Sequence, residues 1–160
     1  GAIRKAILAL KYKYATDIVK LLNGYMVEEL KSQEIDRLLP FTSCLLPIPL
    51  HWYRQNFRGF NQSEEIGKAV VKEMGWKFEP DLLIRKKLTP SQTELKAKAR
   101  VENIQGVFAI NSGYSSTHLF NYSFIILFDD VWTTGSTLKE ACKVLKRAGV
   151  EKVWGLTIAR

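Results

Sequence analysis

Cysteine is almost missing from this 160-residue sequence: Cys44 and Cys142 are its only two, far apart and each set in an apolar segment. Such thiols read as buried, reduced cysteines of a cytoplasmic protein. With no further ligand-type residue beside either, they argue against a zinc site. Long apolar runs are missing too, none approaching the roughly 20 residues of a membrane-spanning helix. A basic start followed by an apolar stretch and a small-residue cleavage site is also absent, so no secretory signal is expected. Two nucleotide signatures do not occur: no Gly-x-Gly-x-x-Gly opens a helix, and there is no Gly-x-x-x-x-Gly-Lys-Ser/Thr loop. Acidic residues are in deficit, 16 Asp and Glu against 24 Lys and Arg, for a formal charge of +8. That balance favours phosphates, nucleotides or nucleic acid as partners, although total charge alone names none of them.

What is present suits a globular domain: 46% hydrophobic and 25% charged residues, in a chain long enough to enclose a core. We expect a single domain over residues 1–160, with an N-terminal helical part at 1–42 and an α/β core at 43–160. Residues 2–30 carry Ala6, Leu8, Leu10, Ile18, Leu21, Leu22, Met26 and Leu30 at loosely helical spacing, with Asn23-Gly24 a point of breakage or bending. Lys11-Tyr12-Lys13-Tyr14 reads either as a helix surface or as a ligand or nucleic-acid contact. Ser43 to Leu50 is a short apolar run closed by Pro47 and Pro49, as a buried strand would be. A basic loop follows with His51, Arg54 and Arg58. Asn61 then reads as the N-cap of a helix running to about Met74 and stopped by Gly75. Asp81 to Leu88 is a further candidate strand. Residues 85–104 are basic and poor in apolar side chains, an exposed loop, and Gly106 to Ile110 resumes as strand. After a polar connection at 111–122, Ser123 to Phe128 is apolar without alternation, the pattern of a central parallel strand covered on both faces. Leu138 to Ala148 reads as a helix with Gly149 as its stop, and Val153 to Ile158 as a last strand. Strand and helix alternate from residue 43 onward, which predicts a doubly wound, mostly parallel α/β sheet.

In such sheets ligands bind at the carboxyl ends of the strands. Asp129 and Asp130 stand at one such end, and Val131, Trp132, Thr133, Thr134, Gly135, Ser136 and Thr137 lead from them directly into a helix. Small residues and a glycine let backbone N–H groups converge, hydroxyls add donors, and the helix N-terminus adds partial positive charge. That is a pocket for a phosphate monoester. Two adjacent carboxylates beside it make sense as acceptors for sugar hydroxyls or for the waters of a Mg²⁺ ion. A ribose 5-phosphate satisfies both halves. Trp132 reads either as a base-stacking residue or as packing, and Trp52, Tyr53 and Phe57 share that ambiguity. Asn61 and Gln62 read equally as helix start or ligand contact.

The run from Ile126 to Thr137 resembles the phosphoribosyl diphosphate (PRPP) motif of type I phosphoribosyltransferases. Pro47-Ile48-Pro49-Leu50-His51, Arg54, and Arg58-Gly59-Phe60-Asn61-Gln62-Ser63 resemble the ComF (ComFC) branch of that fold, competence-associated proteins. So does the scattered set Arg85, Thr89, Gln92, Leu95, Arg100, Asn103 and Phe108. The resemblance covers nearly the whole chain. It implies that Asp129 and Asp130 hold ribose hydroxyls, and that Val131 and Thr133 to Thr137 hold the 5-phosphate. It further implies that His51, Arg54, Arg58 and Gly59 belong to a pyrophosphate loop. Residues 85–104, with Lys86, Lys87 and Arg100, would then be a loop that closes over ligand. Mg²⁺ is implied as the cofactor, carried by PRPP near Asp129 and Asp130 rather than by a dedicated protein site. Many ComF proteins also carry a four-cysteine zinc ribbon ahead of this domain, and no such cysteine set occurs here.

Two functions follow. One is phosphoribosyl transfer with release of pyrophosphate, for which no catalytic general base is readable in the sequence. The other is a non-catalytic PRPP sensor or single-stranded-DNA-binding module in DNA uptake. A homodimer or a partner in the competence machinery is a further expectation, resting on apolar surface of the N-terminal helices.

Overall fold

The computed structural model describes residues 16–40, 42–51, 53, 56, 60–87, 104–115, 121–122 and 124–159. Its centre is a parallel sheet. The apolar run predicted as a central strand is β5 (Phe124–Val131). It lies between β1 (Ser43–Pro47) and β6 (Val153–Ala159), and β2 (Lys77–Phe78) flanks β1, so the order is β2-β1-β5-β6. All three pairings are parallel, with Leu45 opposite Ile126 and Phe128 opposite Leu156. β5 is hydrogen-bonded on both edges and covered on both faces, which is why its sequence shows no polar alternation.

Alternate side chains of the strands feed two cores. Cys44, Leu46, Ile125 and Leu127 face helix α4 (Ser136–Arg147) through Leu138, Ala141 and Leu145, together with the antiparallel pair β3 (Leu83–Arg85) and β4 (Phe108–Ile110). Leu45, Phe124, Ile126 and Phe128 face helix α1 (Thr16–Ser32) through Leu22, Met26 and Leu30, and helix α3 (Gln62–Met74) through Ile66, Val70 and Val71. Burial of each such side chain is worth about 1.5–3 kcal/mol. Helices thus cover both faces, as the alternation predicted. A short helix α2 (Ile35–Leu38) links α1 to β1.

Several expectations change. Helix α1 runs unbroken through Asn23-Gly24. The ~1 kcal/mol cost of a helical glycine is outweighed by burial of Leu22 and Met26 on either side. The strand expected from Asp81 to Leu88 shrinks to three residues. It pairs outside the main sheet, antiparallel with β4, because Lys86 and Lys87 are exposed and offer nothing to bury. Helix α4 starts at Ser136, two residues before the apolar pattern begins. Residues 85–104 are not loop throughout: Arg85 is strand, its guanidinium over the Phe108 ring, and Ile104 is buried in the core. Residues 88–103 lie outside the described part, as does the Lys11–Tyr14 segment. No helix among the described residues is long and apolar enough to cross a membrane.

Candidate functional site

Parallel strands carry their carboxyl ends to the same edge of the sheet, so the connections β1→α3 and β5→α4 meet there. β5 extends to Val131, which places Asp129 and Asp130 among its last three residues, Asp129 opposite Thr157 of β6. Asp130 is buried and Asp129 half-buried, so Asp129 is the more accessible of the pair. Asp129 Oδ1 accepts from the Asp130 N–H at 2.9 Å and from Ser63 Oγ at 3.4 Å.

The turn into α4 is shaped by one glycine. Gly135 is the N-cap, at φ 70° and ψ 5°, and a Cβ there would stand 2.4 Å from Trp132 Cζ2. Trp132 therefore packs: its half-buried ring braces the turn against the α4-side core. Thr134 Oγ1 and Ser136 Oγ are 2.9 Å apart, and the Ser136 N–H points to Thr134 Oγ1 at 3.4 Å. Thr133 is exposed, Thr134 and Thr137 half-buried, and Ser136 buried.

The two helix starts at this edge differ in charge. α3 is capped by Asn61, whose Oδ1 accepts from the Ser63 N–H at 3.2 Å, and its first turn carries Glu64 and Glu65. Burial, with Asp81 and Glu65 nearby, raises the Glu64 carboxyl above its usual range. α4 has no acidic residue in its first turn and no side-chain cap bond at Gly135. Its first turn therefore adds no carboxylate of its own to the positive helix end.

The remaining sequence-predicted positions fare unequally. His51 lies buried beyond the end of β1, its Nδ1 accepting the Tyr53 N–H at 3.3 Å. Lys86 and Lys87 are exposed where the chain leaves β3, and the Lys86 N–H bonds to the Val107 carbonyl at 2.8 Å. Arg54, Arg58, Gly59 and Arg100 lie outside the described residues, as do Trp52 and Phe57. Asn61 proves to be the helix cap, and its Nδ2 also donates to the Ile48 carbonyl at 3.1 Å. Among the described residues no group of three or more His, Cys, Asp or Glu is placed to hold a metal ion.

Sequence reasoning gave no role to three polar side chains that tie separate elements together. Ser63 reaches Asp129 from α3. Glu140, buried on α4, accepts the Gly106 N–H at 2.8 Å; that bond holds its carboxyl below the usual range, with the neighbouring Lys143 acting in the same direction. Glu79, just past β2, receives the phenols of Tyr114 and Tyr122 and so fastens the polar connection to the sheet. Burial, reinforced by that carboxylate, pushes the Tyr114 phenol up to about 12. Burial first, then Glu79, raises the Cys44 thiol, which is inert in the core.

No protein-family model matches the chain. Among curated proteins it is 36% identical over 123 residues to "Competence protein F" of Haemophilus influenzae, covering 76% of this chain and 52% of that one. It is 28% identical over 150 residues to "DNA utilization protein YhgH" of Salmonella typhi, covering 92% and 63%. It is 28% identical over 152 residues to "Competence protein ComFC" of Streptococcus pneumoniae, covering 94% and 60%. The chain thus spans between about half and just under two thirds of these relatives' lengths. Among solved structures, a hypoxanthine phosphoribosyltransferase from Staphylococcus aureus superimposes with a TM-score of 0.51 at 15% identity, covering 87% of this chain and 62% of that one. That is a likeness of fold. By sequence the chain is a homologue of Competence protein F, ComFC and YhgH, and by architecture it is a type I phosphoribosyltransferase-like domain.

Proposed function

We propose that the chain binds PRPP or another ribose 5-phosphate nucleotide at the carboxyl edge of the sheet. One observation carries this reading. Helix α4 begins at a left-handed glycine, without an acid in its first turn, five residues after the second of two carboxylates at the end of the central strand. The 5-phosphate sits on the backbone and hydroxyls of Thr133 to Thr137, where the helix end supplies positive potential. Asp129 and Asp130 accept from the ribose hydroxyls, Asp129 as the more exposed partner. In transfer, a nitrogen nucleophile forms the new bond to C1 while the C1–oxygen bond breaks and pyrophosphate leaves with the electron pair. His51, Arg54, Arg58, Gly59, Lys86, Lys87 and Arg100 would face that leaving group by charge or close backbone approach. The protein acts by positioning and by stabilising charge. A Mg²⁺ ion on the diphosphate, near Asp129 and Asp130, would supply charge neutralisation.

The test is calorimetry with Mg²⁺ and PRPP. Asp129→Asn with Asp130→Asn is expected to weaken binding at least about tenfold, the scale of one lost charged hydrogen bond. Unchanged affinity would remove the pocket. A screen for pyrophosphate release with candidate bases separates transfer from binding alone.

A role in DNA uptake is the coarser part of the proposal. It is supported by relatives named for competence and DNA utilization and by the charge of +8. A non-catalytic module that binds PRPP or single-stranded DNA is the second reading.

A further inference from the structure

We propose that Ser63 is a positioning residue for Asp129, held in place by a closed ring of hydrogen bonds across the sheet edge. The ring is built from four contacts. The Ile48 N–H donates to the Phe128 carbonyl at 2.8 Å, tying the exit of β1 to β5. Asn61 Nδ2 donates to the Ile48 carbonyl at 3.1 Å, tying that exit to the start of α3. The Ser63 N–H donates to Asn61 Oδ1 at 3.2 Å. Ser63 Oγ then donates to Asp129 Oδ1 at 3.4 Å, and Asp129 is the residue after Phe128, which closes the circuit. Asn61 and Ser63 are buried, so these bonds are sheltered from competing water.

The last contact is longer than the 2.5–3.0 Å of a strong hydroxyl–carboxylate bond. Such a bond orients more than it stabilises, and bonds of this kind tighten when a ligand is bound. The Asp130 N–H meets the same oxygen, Oδ1, at 2.9 Å. Two donors converging on Oδ1 fix the rotation of the carboxylate, so the direction it presents to a sugar hydroxyl is set before ligand arrives. Asn61 serves the same end indirectly: one amide caps α3 and fastens the β1 exit, which sets where Ser63 stands. The consequence concerns one part of the ligand. Ser63 acts on recognition of the sugar ring, while the phosphate loop at α4 is independent of it.

This rests on the ribose 5-phosphate reading above, and the experiment separates the two. Binding of ribose 5-phosphate and of inorganic phosphate is measured by calorimetry on the wild type, Ser63→Ala, Ser63→Thr, Asp129→Asn and the double variant Ser63→Ala with Asp129→Asn. Thermal midpoints are taken on the same samples. Ser63→Ala is expected to weaken ribose 5-phosphate about three- to tenfold, to leave inorganic phosphate unchanged, and to be rescued by Ser63→Thr. In the Asp129→Asn background the Ser63→Ala effect is expected to vanish, because the pair acts as a unit. An undiminished affinity for ribose 5-phosphate in Ser63→Ala, or an equal loss with and without the Asp129 carboxylate, overturns the inference while leaving the site intact. A wild type that binds inorganic phosphate but gains nothing from the ribose overturns the site reading and this inference together.

Discussion

Gly135 is held to glycine by two separate constraints, its positive φ and the Trp132 ring lying where a Cβ would be. Gly135→Ala is expected to cost about 1–3 kcal/mol from backbone strain alone, read as a thermal midpoint lower by roughly 2–4 °C per kcal/mol. It should also abolish phosphate affinity, because relief of the clash displaces the turn. Glu140 makes a pH-dependent contribution. Its folded-state carboxyl is held below the usual glutamate range, chiefly by the Gly106 N–H. The stabilisation is therefore present above the unfolded value and is lost as pH falls through the lower folded value. Denaturant titrations of wild type and Glu140→Gln are expected to differ most at neutral pH and to converge as pH drops below 4.5. A gap that stays constant on acidification would contradict the assignment. At this scale the placement of Asp129 and Asp130 at the end of a buried strand, and of Gly135 and the hydroxyl residues at a helix start, was legible in the sequence, because both are set by local pattern. The contact of Ser63 was not: the residue stands in the Arg58–Ser63 run that carries the resemblance, but its partner Asp129 is distant in sequence.

Among the elements, α3 and α4 differ in the charge of their first turns. α3 fills its positive end with Glu64 and Glu65 and the Asn61 cap, while α4 leaves its own end without an acid. Thr137→Glu is therefore expected to stabilise α4 by about 0.3–1 kcal/mol while lowering ribose 5-phosphate affinity, a split that thermal melts and calorimetry on one sample would reveal. Helix packing makes a second contrast. A Cβ on Gly67 of α3 would lie 2.9 Å from Leu45 Cδ2 and 3.3 Å from the Phe128 and Phe78 rings, whereas one on Gly24 of α1 meets nothing within 4 Å. Gly24→Ala is expected to stabilise the fold by up to about 1 kcal/mol. Gly67→Ala should destabilise it by about 1–3 kcal/mol through overpacking. Opposite signs in denaturant midpoints are the check. The helix α3 and its two end signals, Asn61 and Gly75, were readable in advance because caps are local chemistry. β2 and the antiparallel pairing of β3 with β4 were not, because strands of two or three residues exist only through their partners.

For the whole molecule, the second reading proposed above, single-stranded-DNA binding, draws on an excess of eight positive charges. Such binding is expected to fall steeply as salt rises, with a log–log slope that shrinks by roughly 0.7 for each phosphate contact removed. Neutralising Arg54, Arg58, Lys86 and Lys87 should flatten it, as measured by fluorescence anisotropy. No binding at low salt would end that role. The sequence by itself determined the class of fold, because an unbroken apolar strand and alternating helices with strong caps permit little but a covered parallel sheet. It also determined the chemistry of the turn after Asp130, where glycine, hydroxyls and a helix start lie in one stretch of chain. Only tertiary structure decided which wall faces that turn: that Trp132 braces it, that Asn61 caps α3 while fastening β1, and that Ser63 reaches Asp129. Those outcomes depend on backbone from separate parts of the chain meeting at one edge of the sheet, a geometry that no local pattern encodes.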